Sequence, residues 1–341
     1  MLLNERKISV LHAIIDDYIR SAEPVGSRTI ARRYNLGVSP ATIRNEMADL
    51  EETGYIIQPH ISAGRIPSDK GYRFYVDVLM EPSPIPAIKR QEIYRRVQKQ
   101  SQEIEVLIQE TSKLLALLTN YVAIVVVPPV VKCVLKHIQL VLIDELRILV
   151  ILVLYPGIVQ NRIIRVQTRY TVEELTLISQ QLTQKLQGLS YGEMRSGLIK
   201  DIKREFGDIG SAILDIIHNE LADSKQEQYY LNGAIQIFEQ PEFRDIERAK
   251  GLLSLLEKGE AVSDLLGDWS KINGVKVIIG QENPRAEIHE CSVVTSNYSI
   301  GQEVIGTIGV IGPTRMEYAR VYSIVELIAD SLSEILTEIV K

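Results

Sequence analysis

The chain has 341 residues, of which 45% are hydrophobic and 24% charged, and its formal net charge is −6. This composition is ordinary for a globular protein and leaves room for two or three domains. The negative charge excludes a cationic coat over the whole chain, so nucleic-acid binding would need a local basic surface. Two isolated cysteines, no secretory signal and no apolar run long enough for a bilayer predict a cytoplasmic protein with no membrane partner.

Positive charge is concentrated near the N-terminus. Residues 20–44 contain five arginines and one glutamate, a local charge of +4, whereas residues 1–80 together hold ten cations and ten anions. A basic face on an otherwise neutral module suits a phosphate backbone. An ordinary solvated helix face would have the same composition, so charge alone leaves both readings open.

The first fifty residues predict three short helices. Apolar residues recur at helical spacing over residues 5–20, and Asn4 is placed to cap that helix. Ser27 is expected to cap a second helix that runs to about residue 34. After a turn at residues 35–38, Ser39 caps a third helix with Pro40 in its first position. Gly54 is expected to end this helix as a left-handed cap.

A wing is predicted to follow the third helix. Residues 55–57 favour a short strand, residues 58–65 have the composition of a loop, and one more helix is expected over residues 70–80 after a cap at Ser68 or Asp69. Together with the preceding turn, these elements predict a winged helix-turn-helix domain over residues 1–80. Three prolines in residues 81–86 predict a stiff linker and a domain boundary.

The remainder predicts an α+β domain. Residues 87–118 have the apolar periodicity of one long helix, which could serve as core or as an interface. Strands are expected at residues 121–127, 138–143, 147–154 and 158–166, and helices at 171–187, 193–205 and 208–222. A strand at 232–238, helices at 243–257 and 262–269, strands at 275–279, 291–296 and 303–310, and a core helix at 317–339 complete the pattern. This order indicates one sheet interrupted by a helical insertion.

The third helix is the strongest candidate for a binding surface. If Ile43, Met47 and Leu50 point inward, its opposite face carries Arg44 and Asn45, which are suited to bidentate contacts with guanine and adenine. The acidic residues of its C-terminal half should point away from a duplex. The alternative is a plain surface helix in a three-helix bundle. The predicted DNA-binding residues are Ser27, Arg28, Ser39, Ala41, Thr42, Arg44, Asn45, Arg65, Lys70 and Arg73.

Signatures of catalysis are scarce. The five histidines are scattered, no metal-ligand spacing occurs, and no phosphate-binding Gly-rich loop precedes a helix;. Asp144 and Glu145 are expected to point apart in a hairpin turn, and the glycines of residues 301–312 lie within strand-like sequence. We therefore expect neither enzyme activity nor a metal or cofactor.

Four segments resemble the HrcA family of bacterial heat-inducible transcription repressors. They are residues 24–30 (Pro-Val-Gly-Ser-Arg-Thr-Ile), residues 39–51 around Arg44 and Asn45, residues 64–73 (Gly-Arg-Ile-Pro-Ser-Asp-Lys-Gly-Tyr-Arg), and residues 306–316. The resemblance implies a GAF-like sheet domain over residues 87–165 and 230–341, with a dimerising domain inserted at about residues 165–230. It further implies binding to an inverted-repeat operator, CIRCE, repression of chaperone operons, and activity that depends on the chaperonin GroEL.

Three functions remain in competition at this level. The first is a dimeric repressor, because a two-fold dimer places two reading helices on the half-sites of an inverted repeat. The second is a repressor gated by a small metabolite bound in the GAF-like domain. The third is an enzyme with an N-terminal targeting module, for which the sequence offers no nucleophile, base or metal site.

Overall fold

The computed structural model describes residues 3–61, 63–98, 104–126, 134–155, 157–190, 199–223, 229–256, 262 and 274–340. The N-terminal part consists of α1 (Glu5–Ser21), α2 (Ser27–Arg33), α3 (Pro40–Glu52), β1 (Ile56–Ile57), β2 (Ile66–Pro67) and α4 (Asp69–Phe74). The two short strands pair in antiparallel register as a wing. We call residues 3–80 the head. The winged helix-turn-helix that the sequence predicts is confirmed.

Capping and apolar spacing explain the helices of the head. The Asn4 side chain accepts a hydrogen bond from the Lys7 amide at 2.9 Å, and the Ser68 side chain accepts one from the Gly71 amide. Gly54 has a φ of +77°, as its place after α3 requires;. The helix expected over residues 70–80 is only partly correct, because α4 ends at Phe74 and a π-helical turn, Tyr75–Leu79, follows it.

A five-stranded antiparallel sheet forms the larger part of the rest. Its strands are β3 (Val122–Val126), β7 (Tyr229–Asn232), β8 (Lys276–Ile279), β9 (Cys291–Ile300) and β10 (Glu303–Pro313), in the order β7-β3-β10-β9-β8. One face packs on α5 (Ala87–Gln98), α6 (Ile104–Thr119) and α10 (Tyr318–Val340), and the other on α9 (Ile246–Leu256). The α+β class with a GAF-like sheet domain is therefore confirmed.

A second sheet stands apart from the first. It contains β4 (Val134–Asp144), β5 (Arg147–Tyr155) and β6 (Ile158–Arg165) in sequential antiparallel order. One face packs on α7 (Val172–Leu186) and α8 (Ile199–Asp223) in a separate apolar cluster. The expectation of one sheet that contains every strand before residue 166 is therefore wrong. Strand periodicity shows which face of a strand is apolar, and it does not identify the sheet that the strand joins.

Several other expectations need correction or lie partly outside the described residues. The strand expected at 232–238 is a 3₁₀ helix, Ala234–Glu239, because Gly233 adopts a φ of +80° and turns the chain out of β7. The helix expected over 87–118 consists of α5 and α6, and residues 99–103 between them are not described. Residues 193–198, 257 and 263–269 of three expected helices are also not described.

The core of the head continues into the core of the five-stranded sheet. Leu11, Ile14 and Ile43 of the head belong to the same buried cluster as Val310 and Leu332 of the sheet layer. The head is thus packed on the sheet domain through side chains as well as joined to it by residues 81–86. This packing determines how the candidate site is presented.

Candidate nucleic-acid interface

Helix α3 begins as its sequence requires. Ser39 has an extended backbone, and its Oγ accepts a hydrogen bond from the Thr42 amide at 3.1 Å while lying 3.0 Å from Thr42 Oγ1. Pro40 occupies the first helical position, where its missing N–H costs nothing;. The remaining free amides and the positive end of the helix dipole lie beside Ser39 and Ala41, where an anion would be stabilised.

The two faces of α3 differ as the sequence predicts. Ile43 and Leu50 are fully buried and Met47 is nearly so. On the other face Ala41, Arg44, Asn45 and Ala48 are exposed, and Thr42 is partly exposed. Neither Arg44 nor Asn45 has a side-chain hydrogen bond or ion pair with any residue that the structure describes. Their polar groups therefore remain available to a ligand.

The acidic side of α3 is neutralised from within the head. Glu46 is buried, and its carboxylate lies 3.5 Å from Arg6 Nη1 and 3.4 Å from Lys7 Nζ. Lys7 also pairs with Asp49 at 3.0 Å, and this bond is the largest of the contacts that raise the pKa of Lys7. Glu46 thus points into the head against α1 instead of lying with the exposed acids of the helix end.

Helix α2 carries an exposed cation, and its N-cap differs from the predicted one. Arg28 is exposed, and no ion pair engages it within the described part of the chain. Ser27 is only 8% exposed, and the N-cap of α2 is Gly26, so Ser27 is not the cap that the sequence predicts. The backbone of Val25 pairs with that of Arg65 just before this point, which fixes the entry of the chain and turns Ser27 inward.

The cations of the wing and of α4 are largely engaged in the protein itself. Arg65 pairs with Glu51 of α3 at 2.7 Å and is 22% exposed. Lys70 donates to the carbonyl oxygen of Thr53 at 2.8 Å and lies 4.4 Å from the centroid of the Tyr55 ring. Both remain near the wing, but part of their hydrogen-bonding capacity is already used.

Arg73 is engaged mainly by the sheet domain. It pairs with Glu282, donates to the carbonyl oxygen of Val277 at 2.7 Å and pairs with Asp77 at 3.1 Å. The hydrogen bond that Arg73 donates to the Glu282 carboxylate is the largest of the causes that raise the pKa of Arg73. The DNA contact of Arg73 stays a prediction, but its guanidinium is already engaged by a partner 209 residues away that no local pattern indicates.

Half of the ten predicted DNA-binding residues therefore lie together on one face of the head. Ser39, Ala41, Thr42, Arg44 and Asn45 share the exposed side of α3, with Arg28 on the adjoining helix. Sequence reasoning omitted Arg32, which is exposed on α2 and has no ion pair to a described residue. Its only signal was its place in the local excess of arginine.

Other kinds of site find no support within the described ranges. No group of three or more His, Cys, Asp or Glu side chains there could hold a metal ion. None of the helices that were described is long and apolar enough to cross a bilayer. Cys291 is buried, and burial raises the pKa of its thiol to about 12.

A helix-turn-helix with a two-stranded wing, an exposed reading face and a separate sheet domain defines a winged-helix transcription regulator. The family described as HrcA protein C terminal domain matches residues 105–322. The heat-inducible transcription repressor HrcA of Pelotomaculum thermopropionicum is 45% identical over 100% of this chain and 99% of its own. The repressor of the same name from Desulforamulus reducens is 43% identical over the same shares. The chain belongs to the HrcA family.

One solved structure supports the fold. The crystal structure of a hypothetical protein at 2.2 Å resolution matches with a TM-score of 0.67 and 26% identity, and the match covers 99% of this chain and 100% of that chain. An experimentally solved protein therefore shares the overall fold.

Proposed function

We propose that the protein is a sequence-specific DNA-binding repressor of chaperone operons that binds the inverted-repeat CIRCE operator as a dimer. The observation that carries this proposal is the exposed face of α3, on which Arg44 and Asn45 are free of partners among the described residues. The names of the relatives support heat-inducible repression. The family resemblance adds that activity depends on the chaperonin GroEL.

The proposed mode of reading follows from the chemistry of that face. Arg44 offers a planar fork of donors to the O6 and N7 atoms of guanine, and Asn45 offers a donor and an acceptor to adenine. The first turn of α3 would meet a phosphate, with Thr42 beside it. Arg28 is placed to contact the backbone, which would add affinity without sequence preference.

The three-stranded sheet is the proposed dimer contact. Its face opposite α7 and α8 carries an apolar row, in which Val141, Leu149 and Ile163 lie side by side across the three strands. Val141 is 41% exposed and Ile163 is 61% exposed. Exposed apolar side chains that lie together can form a protein contact, and a two-fold axis would let this row cover itself with a second copy.

The domain limits proposed here differ from the sequence-based ones. We assign residues 3–80 to DNA binding, and residues 134–223 to the inserted dimerising unit, since β4–β6 share one apolar cluster with α7 and α8. The segments before and after this unit form the five-stranded sheet domain, with residues 81–86 as the linker.

Replacement of Arg44 by alanine tests DNA reading. We expect Arg44→Ala to weaken operator binding by about 1–3 kcal/mol and to relax preference at one base pair. The free energy of unfolding of this variant should equal that of the parent protein, because Arg44 has no partner among the described residues. Arg95→Ala on α5 is a matched control, an exposed arginine outside the head. Equal affinity of the parent protein for operator and random duplex would contradict the proposal.

Replacement of Ile163 tests the dimer. We expect Ile163→Asp to shift the protein toward monomer in sedimentation equilibrium, because a charge would enter the apolar face. Val172→Asp is the control, since Val172 is equally exposed at 61% but lies at the start of α7. A dimer of unchanged stability in Ile163→Asp would exclude this face.

Dependence on the chaperonin is tested separately with purified GroEL. We expect GroEL to raise the fraction of protein that shifts an operator fragment, and an excess of unfolded protein to abolish that gain. An unchanged active fraction would refute the chaperonin part of the proposal and leave DNA recognition intact. A small molecule that changed operator affinity without chaperonin would favour the metabolite-gated alternative.

A further inference from the structure

The head is docked on one loop of the five-stranded sheet domain. Asp69, the first residue of α4, accepts a hydrogen bond from the Gln281 amide at 2.9 Å. One turn later Arg73 pairs with Glu282 and donates to the Val277 carbonyl oxygen at 2.7 Å. We call these bonds between α4 and residues 277–282 the docking contact.

The loop is shaped to receive α4. Gly280 adopts a φ of +50°, and a Cβ atom at this position would overlap the carboxylate of Asp69. A side chain there is therefore disfavoured twice, by backbone conformation and by space. The limit on space comes from the head and not from the sheet domain, because the atoms that a Cβ atom would displace are those of Asp69 in α4.

The loop is also held in place from its own side. Asn283 is only 3% exposed, and its Nδ2 donates to the carbonyl oxygens of Gly280 at 2.7 Å and Cys291 at 3.1 Å. The Glu282 carboxylate accepts a hydrogen bond from the Ile279 amide at 2.9 Å. Glu282 is thus oriented by its own loop, so little side-chain freedom is lost when Arg73 binds it.

The docking contact leaves the reading face free. It uses α4, whereas the exposed residues of α3 lie on a different helix whose main packing partners are α1, α2 and β1. A second contact between the head and the sheet domain also leaves α3 free, because Arg315 of the sheet domain donates to the Ile19 carbonyl oxygen of α1 at 3.1 Å. The head is therefore fixed in orientation while α3 remains accessible.

We infer that the docking contact is a positioning device that sets the separation of the two α3 helices in the dimer. This inference rests on the proposed function. Half-sites on one face of a duplex lie about 34 Å apart, so two heads bind together only at matching separation and rotation. Without the docking contact, the head would be held only by the shared core, by Arg315 and by the linker, and it would sample more orientations. Binding of the second head would then gain less from binding of the first. Arg73 is accordingly a positioning residue and not a DNA ligand.

Two variants release the head by different means. Glu282→Gln removes the charge that Arg73 binds, and Gly280→Ala places a methyl group against Asp69 without a change of charge. Glu290→Gln is the matched control, because Glu290 forms a similar pair with Arg248 at 2.7 Å within the sheet domain. Circular dichroism and thermal unfolding establish that all three variants are folded.

The measurement with DNA compares how strongly each protein prefers one spacing of the two half-sites over another. Binding is compared on the operator and on a probe with about five base pairs inserted between the half-sites, which rotates one site by roughly half a turn. We expect the parent protein and Glu290→Gln to lose on the order of 10²-fold in affinity on the altered probe, and the two release variants to lose less than about tenfold. An equal loss in all four proteins overturns the inference.

A readout without DNA separates this inference from the proposed function. Hydrogen exchange of the Gln281 amide should be faster in Glu282→Gln and in Gly280→Ala than in Glu290→Gln, because its acceptor Asp69 withdraws. Unchanged exchange in both release variants means that the head is not released and overturns the docking contact as the device. If the parent protein fails to bind any operator, the proposed function fails, whatever the exchange result.

Discussion

Arg315 offers a quantitative test of how the head is attached. Its side chain is 11% exposed, and its Nε pairs with Glu242 at 2.5 Å. Its Nη1 donates to the Ile19 carbonyl oxygen of α1 at 3.1 Å. Glu242 is 22% exposed, and its second carboxylate oxygen is buried without a hydrogen-bond partner among the described atoms. This carboxylate therefore depends strongly on a single cation.

Replacement of Arg315 by methionine should destabilise the protein. The change keeps most of the side-chain volume but leaves the Glu242 carboxylate and the Ile19 carbonyl group without their donor. Loss of one partner from a buried pair costs about 3–5 kcal/mol. Because Glu242 retains some contact with water, we expect a value near the lower limit, about 3 kcal/mol. The double variant Arg315→Met with Glu242→Met should recover most of that loss, since neither charge then remains.

Urea unfolding of the four proteins at one protein concentration measures both quantities. Concentration must be fixed because oligomerisation contributes to apparent stability. The double-mutant cycle should give a coupling free energy of at least about 1.5 kcal/mol between the two sites. A cost below about 1 kcal/mol for Arg315→Met, or additive effects in the double variant, would refute the buried-pair reasoning.

Two further predictions concern local structure. Gly71→Ala should lower the stability of the head by about 1–3 kcal/mol in urea unfolding, because a Cβ atom there would overlap the Tyr55 carbonyl oxygen;. No loss of stability would mean that the wing has room to shift. Thr171→Ala should cost about 1 kcal/mol in the same assay, because Thr171 and Glu174 form a reciprocal capping box at the start of α7;. A variant as stable as the parent would show that the box contributes nothing in solution.

The head could be predicted well from sequence because its signals are local. A cap at Ser39, a proline at the next position and a glycine after the last turn all act within one helix, and the structure reproduces each of them. The same locality predicted which face of α3 is buried. The assignment of Ser27 as a cap failed because the backbone pairing of Val25 with Arg65 decides how the chain enters α2.

The remaining features depend on contacts between distant parts of the chain. Periodicity identified the strands β4 to β6 but gave no indication that they form a separate sheet with α7 and α8. Arg73 has the composition and position of a DNA-contacting cation, and only the placement of Glu282 reveals its actual partner. Charge patterns therefore indicated which residues could bind an anion, but not whether the anion is a phosphate or a carboxylate of the same chain.

The linker, residues 81–86, also packs on the sheet domain and so helps to fix the orientation of the head. Three prolines predict a stiff spacer, but the Ser83 amide also donates to the carbonyl oxygen of Ala319 in α10 at 3.0 Å, and Ile85 packs against the shared core. The described hydrogen bonds between the head and the sheet domain thus come from α1, α4 and the linker, and none of them comes from α3. A signal that alters operator affinity without touching the reading face must therefore act on these attachments or on the association of the two protomers.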